Sequence, residues 1–266
     1  MVYLNPYTGE IQGTVSMEED FFGIVLKIHR SLYLGDVGKK ITGISAIVFL
    51  VMLISGIILW WPKRIKRIKG KIVIALRANK SRRNYDLHSV LGFYASIFLL
   101  FVVLTGLIWS FKSVENSLYW VTGSKKEEKK IKSNYSGNKS TVSLQKILDA
   151  IQKGSIGDNS NYFISLPEDS VGVIKFRVQS SNESYLVKRS QYSFDQYEYK
   201  LLKIEQYDKA SVADKIKMNL YNIHTGKILG LAGQIINFIA SLIAASLPIT
   251  GFMIWKRRNK PRKGAV

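Results

Sequence analysis

The chain holds 266 residues with three histidines and no cysteine, and the placement of the three imidazoles carries most of its chemical information. His29 and His224 open the same pattern, H-x5-G-x2-G, which brings in Gly35 and Gly38 in one copy and Gly230 and Gly233 in the other. The match continues: Ser55-Gly56 and Thr250-Gly251 stand 26 and 27 residues after their histidines, and Trp60 and Trp255 stand 31 after. The two segments read as an internal repeat. His88 lies outside the repeat and has its own glycine, Gly92, four residues on.

Neutral imidazoles are metal ligands. The lack of cysteine excludes disulfides, iron–sulfur clusters, thiolate zinc sites and covalently attached c-type haem, so a redox cofactor would be held non-covalently. Two repeat-related histidines packed face to face would supply the bis-histidine ligation of a b-type haem. Glycines after each histidine would permit close approach of a porphyrin or of a neighbouring helix. Zinc or copper is disfavoured, because no carboxylate, cysteine or further histidine repeats with them. The competing reading makes the histidines interfacial anchors and the glycines helix-packing contacts. All three histidines stand at the ends of apolar spans, and ionisable groups near membrane depth are commonly functional, which favours ligation.

Three runs position these residues: Ile41 to Trp61, Val90 to Trp109 and Ile228 to Trp255, each without Asp, Glu, Lys or Arg. Each has the roughly 20 residues a helix needs to cross a bilayer. None has the layout of a signal peptide. The segment from Pro62 to Leu87 holds ten Lys and Arg against one acid, Asp86, and the tail after Trp255 holds six and no acid. Both are expected on the cytoplasmic side of a cell inner membrane, leaving the N-terminus and residues 111–222 outside. The net charge of +20 then reflects basic loops beside anionic lipid rather than nucleic acid.

In chain order, residues 1–18 contain VYLNPYTGEIQG, two short strands about an Asn-Pro and Thr-Gly turn, expected to be the end of a β-region. Residues 19–40 form an outer amphipathic helix with Phe22, Val25, Leu26, His29, Leu32 and Tyr33 on one face, broken by Gly35-Asp36-Val37-Gly38. Residues 41–61 are the first span, 62–87 a basic loop and 88–110 the second span. Residues 111–222 form a small α+β domain, with a helix over Ser143 to Gln152 and strands over Tyr162 to Leu166, Gly172 to Val178 and Tyr185 to Gln206. Residues 223–255 make the last span, with a kink expected at Pro248, and 256–266 a basic tail. The fold class is thus an α-helical integral membrane protein with three transmembrane helices, an outer amphipathic helix and a small α+β extracytoplasmic domain. No nucleotide- or flavin-binding glycine loop follows a strand, so an electron donor would be external.

The motifs NPYTGE, KIHRSLYL with GDVGKKITG, SGIILWWPK, DLHSVLGFY with LTGLIWS, and NIHTGKILGLAG with ITGFMIWKRR resemble the PepSY-associated transmembrane family, which includes iron-uptake-associated membrane proteins and di-haem siderophore reductases. The resemblance spans more than half the chain, in the same order. It identifies residues 111–222 as a PepSY-like domain and 1–18 as the remnant of another. Family members have four core spans, and the chain starts after the position of the first, whose histidine would lie beside His88. The resemblance therefore implies an outer haem b on His29 and His224, and an inner haem on His88 only where a further ligand is supplied, by a partner chain carrying the missing helix or by a ligand of another kind; otherwise the inner site does not form. The implied activity is reduction of a ferric siderophore or similar iron chelate, with Tyr162, Tyr192, Tyr197 and Tyr199 as candidates for the chelate-facing surface. Two other readings stay open: a non-enzymatic membrane protein whose PepSY-like domain binds or restrains a protein partner such as a peptidase, and a subunit that completes a haem site in a larger complex.

Overall fold

A computed structural model describes residues 2–5, 8–14, 16, 20–126, 131–135, 160–180, 185–198 and 200–259. The chain divides into two compact units, residues 1–114 with 239–266, and residues 115–238.

The first unit opens with the expected hairpin: β1 (Val2–Leu4) pairs antiparallel with β2 (Ile11–Thr14). Its turn is closed by Asn5 N–H to Glu10 C=O at 2.8 Å and Gly9 N–H to Asn5 C=O at 2.9 Å, with Gly9 at φ +73°. Helix α1 (Phe21–Ser31) follows, its first turn capped by the Asp20 carboxylate accepting from Phe22 N–H at 3.1 Å. Its apolar side chains remain outward: Phe21, Phe22, Val25, Leu26 and Ile28 are all exposed and no residue of the helix is buried, as suits a helix lying against lipid.

The break between α1 and the first span falls earlier than the sequence suggests. Leu32 and Tyr33 take positive φ, and their N–H groups return to Ile28 and Lys27 in a left-handed cap. Gly35, at φ +56°, then begins α2, which runs Gly35–Trp60. The GDVG stretch is the start of the spanning helix rather than the linker before it. An αL turn built from Leu and Tyr carries no glycine signal, which is why the boundary was not visible.

The basic segment after Trp60 is also more ordered than a loop. A 3-10 turn covers Ile65–Lys71, and Asn79 caps α3 (Lys80–Asp86) by accepting from Arg82 N–H at 2.9 Å. The helix continues through a π-helical turn, Leu87–Leu91, into α4 (Gly92–Ser110), so the second apolar helix extends over Lys80–Ser110. Trp60 and Lys71 exchange side-chain-to-carbonyl bonds at 3.3 and 2.6 Å, and the Trp60 ring stacks on Phe93 with centroids 3.5 Å apart. These contacts clamp the basic segment to α2 and α4.

The core of this unit is Leu53 of α2, Ala95, Leu99, Val103 and Leu107 of α4 and Ala240 of the last helix. The second span is the most enclosed, with 33% of its apolar window buried against 11% and 17% for the others. The outward faces carry Val51, Ile58, Leu59, Phe101, Leu242 and Ile249, each more than half exposed. Apolar area of that extent on three helices long enough to span a bilayer identifies a membrane protein.

The second unit contains a four-stranded antiparallel sheet in sequential order, β3 (Ser160–Ser165), β4 (Val173–Ser180), β5 (Arg189–Asp195) and β6 (Leu201–Glu205). Phe176, fully buried, meets Phe194 edge-on at 6.1 Å. The strand-like run over Tyr185 to Gln206 forms two strands, parted where the buried Asp195 carboxylate accepts from Tyr197 N–H at 2.7 Å and Glu198 N–H at 3.0 Å, a local alternative to ladder pairing. The helix expected over Ser143 to Gln152 lies outside the described residues.

Helices α5 (Lys112–Val121) and α6 (Val212–His224) complete the second unit's side of the fold. Ser211 caps α6 by accepting from Asp214 N–H at 3.2 Å and donating to the Asp214 carboxylate at 2.6 Å. The sequence starts the last span at Ile223, but α6 ends at His224. Thr225-Gly226 and a 3-10 turn, Lys227–Leu229, intervene before α7 (Gly230–Arg258). Gly226 at φ +77° and Gly230 at φ +69° cannot continue a right-handed helix, whereas the apolar pattern from Ile228 onward masks the break. Pro248 lies within α7, and the helix extends through Lys256, Arg257 and Arg258, beyond the expected end.

Candidate functional site

The repeat seen in the sequence is a repeat of structure. Each copy is an amphipathic helix that ends at or just after its histidine, a turn, and a spanning helix that starts at the glycine six residues beyond the histidine. Gly35 and Gly230 are those first residues, and both have positive φ. Three residues later, a Cβ on Gly38 would run into the carbonyl oxygen of Ser31 and the Leu34 side chain, and a Cβ on Gly233 into the carbonyl oxygen of Gly226 and the Leu229 side chain. Ser31 and Gly226 are both two residues after their histidines, and Leu34 and Leu229 both five. The glycines let the spanning helix press against the backbone of the preceding turn.

A further pair escaped the sequence reading. Thr42 and Asn237 both stand 13 residues after their histidines. The Thr42 hydroxyl donates to the Arg30 carbonyl at 2.9 Å, and Asn237 Nδ2 donates to the His224 carbonyl at 2.9 Å. Each satisfies a carbonyl that the end of a helix leaves without an intrahelical partner. The common offset was the available signal.

His29 lies in the last turn of α1 and is exposed, and His224 is the last residue of α6 and half-buried. The first belongs to one compact unit and the second to the other. The His224 turn is built onto its domain: Asn222 Nδ2 donates to the Tyr185 carbonyl at 2.7 Å, Asn219 Oδ1 accepts from Val187 N–H at 2.7 Å, and the Tyr185 ring fills the space where a Cβ on Gly230 would stand.

His88 has the most developed surroundings. It sits in the π-helical turn, half-buried, with Nδ1 2.9 Å from the Thr250 hydroxyl. A Cβ on Gly251 would stand 3.3 Å from its Cε1, so the glycine makes room for the ring. Asn84 Nδ2 donates to the Thr250 carbonyl at 3.1 Å, and Gly92 packs against the Leu247 side chain. Asp86 beside it is buried, paired with Arg82 Nε at 2.8 Å and accepting from Ala75 N–H at 3.2 Å. A π-helical turn costs regular hydrogen bonding and is commonly found where a side chain must be re-aimed for function. The Thr250-Gly251 dipeptide, legible in the sequence as part of the repeat, is therefore His88's partner.

Each candidate position offers a single imidazole, a ligand type that haem iron takes. Among the described residues no group of three or more His, Asp or Glu could surround an ion. His88 already spends one ring nitrogen on a protein hydrogen bond, the usual state of a ligating histidine. Of the strand tyrosines, Tyr162 and Tyr192 are half-buried in β3 and β5. Tyr197 donates to the Ser170 carbonyl at 3.0 Å and packs on Tyr135, and Tyr199 lies outside the described residues.

No curated protein matches the chain. Residues 1–258 match the PepSY-associated TM region family, and since that match covers nearly the whole sequence, the chain belongs to this family.

Proposed function

We propose that the protein is a membrane haem protein that passes electrons across the bilayer to a ferric siderophore or a similar iron chelate. One observation carries the reading: three imidazoles stand at span ends, two at equivalent points of a structural repeat and the third in a π-helical turn braced by Thr250 and Gly251. His29 and His224 are the proposed ligands for haem b at the outer end of the spans. His88 is the proposed ligand of a second, at the basic end, together with a ligand from a partner chain.

Bound haem would supply reversible one-electron transfer. The chain's own part is to present imidazole nitrogens and, at His88, to fix the ring through Thr250 and Gly251. An external donor would deliver electrons at the basic end. At the opposite end the chelated iron is the substrate, and reduction to the ferrous state weakens its hold on hard oxygen ligands. Unit 115–238, with its four-stranded sheet, is the assigned surface for the chelate.

The test is the visible absorption spectrum, oxidised and dithionite-reduced, of the full chain purified in detergent from haem-replete cells. Sharp reduced bands of a low-spin b-type haem are expected, lost in His224→Ala. Loss of part of the signal in His88→Ala would assign the second site. A colourless protein overturns the haem reading and leaves the PepSY-like domain, as a binder of a protein partner, as the better account.

A further inference from the structure

We infer that Thr250 is a positioning residue that fixes His88 as the Nδ1–H tautomer, turning Nε2 with its lone pair toward whatever the ring is to ligate. Its bearing on haem rests on the reading of His88 as a ligand given above; the tautomer itself does not.

The argument is one of proton bookkeeping. A neutral imidazole has one N–H and one lone pair, and a threonine hydroxyl has one proton and two acceptor sites. Thr250 Oγ1 lies 3.1 Å from the Ser246 carbonyl and 3.1 Å from the Leu247 carbonyl on its own helix. A carbonyl can only accept, whereas Nδ1 can donate or accept, so the arrangement that serves every partner gives the hydroxyl proton to one of these two carbonyls. What remains on Oγ1 is a lone pair, 2.9 Å from His88 Nδ1, and a lone pair there demands that Nδ1 carry the hydrogen. With the hydrogen on Nδ1, Nε2 carries the ring's lone pair.

Three further contacts hold the arrangement. Asn84 binds the Thr250 carbonyl from one turn before His88, Gly92 admits the Leu247 side chain from one turn after, and Gly251 leaves the ring edge its space. Helix α7 thus grips the π-helical turn on both sides of the histidine. Ser55, the counterpart of Thr250 in the other repeat, donates only within its own helix, to Met52 C=O at 2.9 Å, and a Cβ on Gly56 would meet nothing within 4 Å. The grip is thus particular to α7 and His88 rather than a by-product of the repeat.

The experiment uses the full chain, labelled with 15N-histidine, made without added haem and purified in detergent at mildly alkaline pH. Three histidines give a simple long-range 1H–15N spectrum, and His88→Ala assigns the signal. The expected wild-type pattern is a protonated Nδ1 and an unprotonated Nε2. Thr250→Val, which keeps the shape and removes the hydroxyl, is expected to move His88 to the Nε2–H form or a mixture, and Thr250→Ser to restore the wild-type pattern. A wild-type ring protonated at Nε2, or a pattern unmoved by Thr250→Val, overturns the inference. On haem loading, Thr250→Val is expected to lower affinity about 10-fold or more, the usual cost of losing such a partner. If the tautomer behaves as stated but His88→Ala leaves the haem spectrum whole, the ligand reading of His88 fails and the hydrogen-bond assignment stands.

Discussion

Gly38 and Gly233 each occupy a point where a spanning helix crosses a carbonyl of the turn before it, and no side chain has room there. Alanine at either position must displace backbone rather than the tip of a side chain. We expect Gly38→Ala and Gly233→Ala each to lower stability by about 1–3 kcal/mol, measured as a fall in the thermal midpoint in detergent. Gly56→Ala is the internal control: a Cβ there meets nothing within 4 Å, and the better helix propensity of alanine should raise stability by up to about 1 kcal/mol. If all three variants behave alike, the carbonyl contact is not what the repeated glycines are for. The H-x5-G-x2-G spacing was legible from the sequence because identical offsets need no structural knowledge. Its local cause was not, because the atom that excludes a Cβ is backbone oxygen, which belongs to no residue type.

At the scale of elements, α5 and α6 are joined by a polar cluster. Lys217 Nζ lies 2.5 Å from the Glu115 carboxylate, Lys126 Nζ lies 3.3 Å from it, and the Tyr119 hydroxyl donates to Asp214 at 2.5 Å. The hydrogen bond from Lys217 holds the Glu115 carboxyl below its ordinary 4.5, outweighing its partial burial. Burial pulls the Lys217 ammonium down, but hydrogen bonds to Glu115 and Tyr119 more than reverse this and hold it above 10.5. Burial, then the bond to Asp214, holds Tyr119 above 10.0. A lowered carboxyl gives stability that is present above 4.5 and lost as pH falls through the folded value. Raised Lys217 and Tyr119 give stability present below their ordinary values and lost as pH climbs through the folded ones. Thermal midpoints should therefore be flat from about pH 5 to pH 9 and decline on both sides. Glu115→Gln should cost about 1 kcal/mol near neutrality, since both partners are partly exposed, and should flatten the acid limb. An unchanged acid limb in that variant would assign it to other carboxylates. The elements themselves were visible to sequence reading where apolar runs or alternation marked them, as in the three spans and the sheet. They were hidden where ends depend on non-glycine αL residues such as Leu32 and Tyr33, or on the Asp195 side chain that interrupts a strand-like run.

At the scale of the molecule, charge and apolar surface are sorted along the chain. Three helices long enough to span a bilayer carry outward faces of Val, Ile, Leu and Phe, while Lys and Arg are concentrated between Pro62 and Leu87 and after Trp255. The positive-inside rule counts short basic loops near span ends, and both of these qualify, so they are expected on the cytoplasmic side with the four-stranded sheet on the other. The absence of cysteine from the sequence makes this directly measurable, because any introduced thiol is unique. Leu76, 72% exposed in the basic segment, and Ser170, exposed in the turn before β4, are neutral positions where cysteine leaves the charge distribution intact. A membrane-impermeant maleimide applied to intact cells is expected to label Ser170→Cys at once and Leu76→Cys only after permeabilisation. The opposite pattern would place the sheet on the side of the electron donor, so that a chelate bound there would need no transfer across the bilayer and the two ends of the proposed electron path would lose their distinction.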